Sequence, residues 1–333
     1  MAAGDSILLC KGGSFTSSGV RLANYKCSAD KPCTIGSYRS DGPAPIINAT
    51  ANGLNFQDGG NADHDEGYVV KDLNLVGSGT GFGIFLFNDV DHVTVDGVTI
   101  ESFNIGMYSA GANPPNPGAN RINEFVVLKN SVIKNNPGSG WLGGGNGITI
   151  ENNKFHNNGS GKKIFNHNVY ASNGKDWVIK GNDIYQSTMV EGRCQGTSLV
   201  IHGVVEDLLI ENNNIREDVG ASAQTCWGIA VDPGYAAEES FSRVVIKGNT
   251  VANVGNMGIG CASCTDVWIV DNKIIHEQNF GFTAISVPNR KEDTVKSDRV
   301  LVADNDIVLT GPKKTGVKLP AVGLSRQYNN NVH

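Results

Sequence analysis

The sequence has no apolar run near the roughly 18 residues a membrane helix needs, so no membrane partner is expected. It has no run of Lys or Arg able to neutralise a phosphate backbone, and its 27 basic against 33 acidic residues leave a net charge of −6. A nucleic-acid partner is therefore not expected either. An anionic ligand is still admissible, because the local potential of a groove and not the net charge governs what enters it. Charged residues amount to only 18% and hydrophobic ones to 39%, which excludes the Ala, Glu, Lys and Leu composition of helical bundles and coiled coils. The N-terminal "MAAGDSILLC" lacks the basic segment, apolar segment and cleavage site of a secretory leader and reads as turn then strand. A leader removed upstream is compatible with this start, so secretion is an expectation to be argued from other features.

Polar turn formers fill the gap left by the missing charges: the chain of 333 residues has 42 glycines and 37 asparagines. They are distributed in a repeat. A short apolar segment closing on a polar residue and then on a small or amide-bearing pair recurs as "VTVDGV" from Val93, "VVLKNS" from Val126, "ITIENN" from Ile148 and "WVIKGN" from Trp177. It continues as "LLIENN" from Leu208, "VVIKGN" from Val244, "VWIVDN" from Val267 and "VLVADN" from Val300. The starts are 33, 22, 29, 31, 36, 23 and 33 residues apart, as expected for constant strands joined by loops of variable length. A second apolar alternation precedes most copies, for example "GIFLFN" at Gly83, "HNVYASN" at His167 and "SLVIHG" at Ser198. No helical stripe of useful length lies between. Strands repeating without crossover helices cannot build a doubly wound sheet. Coiled as a solenoid, they stack in parallel at about 4.8 Å per rung, each coil burying its inner face on the next. The predicted architecture is all-β, a single right-handed parallel β-helix domain over residues 1–333 with about ten coils and long loops at 110–123 and 232–242. The recurrent Asn is read as a turn residue whose amide bonds to the coils above and below.

Seven cysteines stand at 10, 27, 33, 194, 226, 261 and 264. "CSADKPC" suits a disulfide-closed turn between Cys27 and Cys33. "CASC" at Cys261 and Cys264 has no second CxxC or His pair to complete a zinc site, so neither metal nor other cofactor is expected. If three pairs form, Cys10 is expected to be left over. "NAT" at Asn48 and "NGS" at Asn158 match the glycosylation triplet.

The opening "GDSILLCKGGSF…PCTIGSYRSDGPAPIIN" resembles the first coils of the right-handed parallel β-helix superfamily of pectate-lyase-like proteins. Within it, "NHNVYASNGKDWVIKGNDIY" (Asn166 to Tyr185) is similar to the His-x-x-Tyr coil of the alginate-lyase branch and related uronate-acting enzymes. The resemblance implies a secreted enzyme acting as a monomer on an acidic polysaccharide. Alginate or a similar polyuronate is the leading substrate.

Stacking lets residues about 30 apart in sequence become neighbours about 5 Å apart. With Val169 and Ala171 inward, Asn168, Tyr170 and Ser172 are expected outward; Leu199 and Ile201 inward leave His202 outward; Ile229 and Val231 inward leave Asp232 outward. His167, Tyr170, His202 and Arg193, the last from the loop "EGRCQG", form the expected catalytic set. Asn168, Asp232, Tyr108, Tyr235 and Lys175 are the expected substrate-binding residues. Asp232 before Pro233 also has a plain reading as a turn initiator, and Lys162 and Lys163 in "GSGKK" read as exposed loop residues. β-Elimination from a uronate needs a group to neutralise the carboxylate, a base for the C5 proton and an acid for the leaving oxygen. His and Tyr supply base and acid, and the planar fork of Arg193 suits the carboxylate. A hydrolase instead needs two carboxylates about 5 to 9.5 Å apart, and only Asp232 stands out on this face. Epimerisation at C5 would use the same base and acid, and a carbohydrate-binding solenoid would need neither.

Overall fold

A computed structural model describes residues 1–57, 65–111, 120–320 and 323–333. Each coil is triangular, with three strands and three corners. The first and second strands of successive coils merge into a 21-stranded sheet, and the third strands form a 12-stranded one. Every coil-to-coil pairing is parallel; the described residues contain one antiparallel ribbon, Met189–Val190 against Arg193–Cys194. One third strand per coil gives about a dozen coils where about ten were expected, because the first and last coils lack the repeated motif. Most of the expected loop at 110–123 lies outside the described residues, whereas the loop expected at 232–242 is described, ends where the strand Ser240–Lys247 begins, and crosses over the first-strand face.

The core is three columns of aligned apolar side chains. First strands contribute Met107, Trp141, Val169, Leu199, Ile229 and Ile259 in one register. Second strands contribute Leu128, Ile150, Ile179, Ile210 and Ile246, and third strands Ile133, Phe155, Ile184, Ile215 and Val251. All are essentially inaccessible to water, and each contributes about 1.5–3 kcal/mol by leaving it.

The repeated small-residue–Asn pair is explained by the corner after the second strand. Asn152, Gly181, Asn212 and Gly248 take left-handed backbone, φ 54° to 65°. The Asn that follows turns inward, and its Nδ2 donates to Oδ1 of the equivalent Asn one coil on. The chain of bonds runs from Asn153 through Asn182, Asn213, Asn249, Asn272 and Asn305 at 2.9–3.1 Å. Such a ladder satisfies buried amides that no strand pairing could reach.

A different corner decides the placement of the site. Where the first strand begins, two consecutive residues both face the core: Gly83 with Ile84, Gly106 with Met107, Gly140 with Trp141 and Asn168 with Val169. Space explains the glycines. A Cβ on Gly83 would stand 2.2 Å from Cγ2 of Ile100, and one on Gly140 2.5 Å from the Asn168 carbonyl oxygen. Simple alternation therefore fails by one residue at this point. Asn168, expected outward, is buried, and His167, whose parity is inward, emerges on the same side as Tyr170.

Disulfides join Cys27 to Cys33, Cys194 to Cys226 and Cys261 to Cys264, leaving Cys10 free. Asn158 of the second glycosylation triplet is wholly buried in a ladder and is no acceptor.

Candidate active site on the first-strand face

Strands Ser139–Gly143, His167–Lys180 and Leu199–Glu211 lie side by side, and their register aligns Phe85, Tyr108, Leu142, Tyr170, Val200 and Ala230 in one outward row. His202 stands two residues further along its strand, opposite Ser172. The rings of Tyr170 and His202 are 5.3 Å apart between centroids, those of His167 and Tyr170 5.7 Å, and those of His202 and Tyr235 4.9 Å. Tyr235 reaches this face because the Asp232-Pro233-Gly234 turn folds back over His202. Only glycine fits at 234, where a Cβ would sit 2.3 Å from Cε1 of the imidazole.

Both imidazoles have fixed tautomers. His202 Nδ1 donates to the Asp232 carbonyl oxygen at 2.6 Å, with a Glu239 carboxylate oxygen 3.4 Å away. His167 Nδ1 donates to the Thr197 carbonyl at 2.9 Å. In the neutral form of each ring this bond puts the proton on Nδ1 and leaves Nε2 the acceptor, the form a general base requires. Burial, only partly offset by the Thr197 bond, lowers the His167 pKa to about 4, so this ring is neutral at ordinary pH. Burial also raises the Tyr170 pKa well above the phenol range, and a hydrogen bond to Tyr235 and the charge of Glu239 add to the shift. Tyr170 therefore keeps its proton at ordinary pH.

Asp232 is not a free carboxylate. Burial raises its pKa, which Arg290 counters through a 3.0 Å bond from Nη1 to Oδ1; Arg290 also bonds Asp293 and the Pro233 carbonyl. Glu239, absent from the sequence reading, accepts from the Gly234 and Tyr235 backbone N–H groups. Both carboxylates are thus spent on holding the turn that carries Tyr235.

Two cavities meet at Tyr235 and Phe165. One of about 490 Å³ is lined by Ser139, Leu142, Lys162, Phe165, Tyr170 and Tyr235. The other, about 220 Å³, is lined by His167, Thr197, His202, Trp227, Asp232 and Tyr235. The Lys162 ammonium lies 4.2 Å over the Phe165 ring.

Three expected site residues are placed elsewhere. Asn168 is 0% exposed: its Oδ1 accepts from Asn158 Nδ2 at 2.7 Å, and its Nδ2 donates to Ser187 Oγ at 2.7 Å and the Tyr185 carbonyl at 3.1 Å. Arg193 is exposed on the antiparallel ribbon and lines neither cavity, because the Cys194–Cys226 disulfide ties that ribbon to the loop at 221–226. Lys175 follows a register shift after Ser172, which turns the chain towards the second strand; it lies opposite Glu206, away from the histidines. The structure brings Lys162 and Arg290 into the region instead. Neither has a signal in the sequence: Lys162 sits in an irregular loop, and Arg290 is 58 residues from Asp232.

No curated protein sequence matches the chain. Among solved structures, the Dettilon tailspike protein (gp208) superposes with a TM-score of 0.60 at 12% identity, covering 92% of this chain and 61% of the tailspike. The chain thus spans about three-fifths of that protein. A double mutant of the periplasmic alginate epimerase AlgG gives 0.53 at 10% identity, covering 96% of this chain and 78% of the epimerase. The alginate lyase from Paenibacillus sp. str. FPU-7 gives 0.49 at 13% identity over 99% and 93% of the two chains. At these identities the likeness is one of fold. Residues 82–274 match the family described as the right-handed β-helix region, and with more than half its length inside that match the chain belongs to the right-handed β-helix family.

Proposed function

We propose that the protein is a polysaccharide lyase that cleaves an acidic, uronate-containing polysaccharide by β-elimination, with alginate the leading substrate. The observation that carries this reading is the His167–Tyr170–His202 cluster, in which two imidazoles with free Nε2 flank a phenol that holds its proton. In the proposed reaction, Nε2 of His202 or His167 takes the C5 proton, and the electron pair forms the C4–C5 double bond. The C4–O bond breaks, and Tyr170 protonates the departing oxygen. Transfer of the proton from imidazolium to phenolate restores the enzyme, and no water is consumed. Lys162, on the Tyr170 side of the groove, would neutralise the carboxylate, the part first given to Arg193.

Hydrolysis is less well supported, since Asp232 is paired with Arg290 and Glu239 caps two backbone N–H groups. Epimerisation would use the same base and acid, returning the proton to C5. Three disulfides support an oxidising location, consistent with secretion.

The test is ultraviolet absorbance of unsaturated chain ends over a panel of uronate polymers, with wild-type and Tyr170→Phe protein. The wild type should generate the signal on one of them, and the variant should turn over about two to four decades more slowly with its fold intact. Full turnover by Tyr170→Phe would refute the mechanism. C5 inversion without chain cleavage would establish the epimerase instead.

A further inference from the structure

A third cavity on the same face, of about 400 Å³, lies at Tyr108, Arg121, Asn123, Asn146 and Asn173, and the two histidines take no part in it. Its volume is in the range usual for small-molecule sites. Three features give it a chemical preference. The first is an aromatic platform: the Tyr108 ring stacks on Phe85 with centroids 5.4 Å apart and planes 20° from parallel, and Phe82 closes against both at 4.8 and 5.0 Å. These rings are only half-buried although they lie on the outer face of the sheet. The second is Arg121, exposed at the rim and without a carboxylate partner among the described residues. The third is the floor, Gly143 to Gly145, where the backbone lies bare. A Cβ on Gly143 would come 1.9 Å from the Ser109 carbonyl oxygen and one on Gly144 2.1 Å from that of Ser172, so the strands approach there too closely for any side chain to fill the cavity.

The register connects this cavity to the histidine cluster. Tyr108, Leu142 and Tyr170 are the same position on three successive coils. At about 4.8 Å per coil, Tyr108 is about 10 Å from Tyr170 along the axis. That is the span of two pyranose rings. Leu142 lines this cavity as well as the one beside Tyr170, so the two open into one groove.

We infer that the Tyr108–Arg121 cavity is a remote subsite for one acidic sugar residue, two residues along the chain from the bond that is broken. It holds the ring on Tyr108 and the carboxylate on Arg121. The inference rests on the proposed uronate specificity and adds a consequence: affinity depends on chain length and on charge at a distance from the chemistry. An arginine fork on a carboxylate is a charge-assisted, oriented contact, and the aromatic face tolerates any pyranose.

The experiment measures binding by calorimetry in a Tyr170→Phe background, so that the ligand is not consumed. Dimer to hexamer uronate oligosaccharides are compared with a carboxyl-reduced hexamer. Arg121→Ala should weaken the hexamer by about tenfold and leave the dimer unchanged, since only the longer chain spans both sites. The carboxyl-reduced hexamer should bind the same with and without Arg121. Tyr108→Ala should weaken acidic and reduced hexamers alike. If the hexamer binds and Arg121→Ala leaves its affinity untouched, the subsite is refuted while the proposed substrate class stands. If no uronate oligomer binds the parent protein, both fall.

Discussion

Replacing Asn168 by Ala separates an architectural from a substrate-binding role. The side chain makes four hydrogen bonds inside the solenoid. Oδ1 accepts from the backbone N–H of Asn158 at 3.3 Å and from its Nδ2 at 2.7 Å; Nδ2 donates to the Tyr185 carbonyl at 3.1 Å and to Ser187 Oγ at 2.7 Å. Each partner is left without this bond when the amide is removed. A buried polar group deprived of its partner costs about 1–3 kcal/mol. The Ser187 hydroxyl can rotate, and the Asn158 amide keeps its bond to the Ile133 carbonyl, so the lower end applies to these two. The sum is about 4–8 kcal/mol, a large part of the stability of a typical domain. In urea, Asn168→Ala should shift the unfolding midpoint far downward with little change in slope. Turnover per folded molecule should stay within about twofold of wild type, because the side chain points away from the groove. An unchanged midpoint with lost substrate binding would refute the ladder assignment and restore the outward placement.

Two further outcomes are expected. Burial raises the Glu217 pKa to about 8 and lowers that of His167 to about 4, so the two groups act oppositely on the pH dependence of stability. The His167 contribution is lost as pH falls from 6.5 to about 4, because the unfolded state then binds more protons; the Glu217 contribution is lost as pH rises from 4.5 to about 8, because the folded state does. Between 4.5 and 6.5 they offset each other, and above 6.5 Glu217 alone should lower stability by about 1.4 kcal/mol per pH unit. Denaturation at several pH values should show this decline in wild type and its loss in Glu217→Gln; an equally steep decline in the variant would disprove the assignment. Lys162→Ala should weaken binding of the acidic polymer and reduce turnover by about tenfold each, whereas Arg193→Ala should leave both near wild type. The reverse ranking in steady-state kinetics would return the carboxylate contact to Arg193.

The repeat was legible because its corner demands two unlike things in succession: a residue tolerant of left-handed backbone, then an amide that bonds both to its own kind and to the backbone. Gly181-Asn182 and Asn212-Asn213 satisfy both, and six of the eight copies carry the amide, which few sequences do by chance. The third strand of each coil escaped notice for a geometric reason. Segments such as Asp183–Tyr185 and Asn214–Arg216 have three residues and one inward side chain, too few for an alternation. The misplacement of Asn168 has a related cause. Alternation assumes an unbroken pleat, and the pleat is broken where Gly106, Gly140 and Gly228 bend the chain into the first strand. The glycines were visible in the sequence, but their column exists only after the coils are set in register.

The cations lie elsewhere than the sequence suggested for a deeper reason, which bears on how this fold can acquire specificity. A strand residue inherits its neighbours from the register, so Tyr170 and His202 were bound to meet once the coils were aligned. A loop residue inherits nothing: Arg193 is nine positions before His202, yet the Cys194–Cys226 disulfide ties its ribbon to another loop, whereas Lys162 returns to Tyr170 and Arg290 crosses 58 residues to Asp232. On the proposed lyase mechanism, the division follows the demands of the chemistry. Proton transfer needs base and acid fixed to within a few tenths of an ångström, which a stacked sheet supplies. Recognition of charge along a polymer tolerates longer, adjustable side chains such as Lys162 and Arg121. If the protein is the lyase proposed above, loop length can change which acidic sugar is gripped while the strands preserve the proton-transfer geometry, and the irregular spacings of 22 to 36 residues between repeats are the freedom this separation requires.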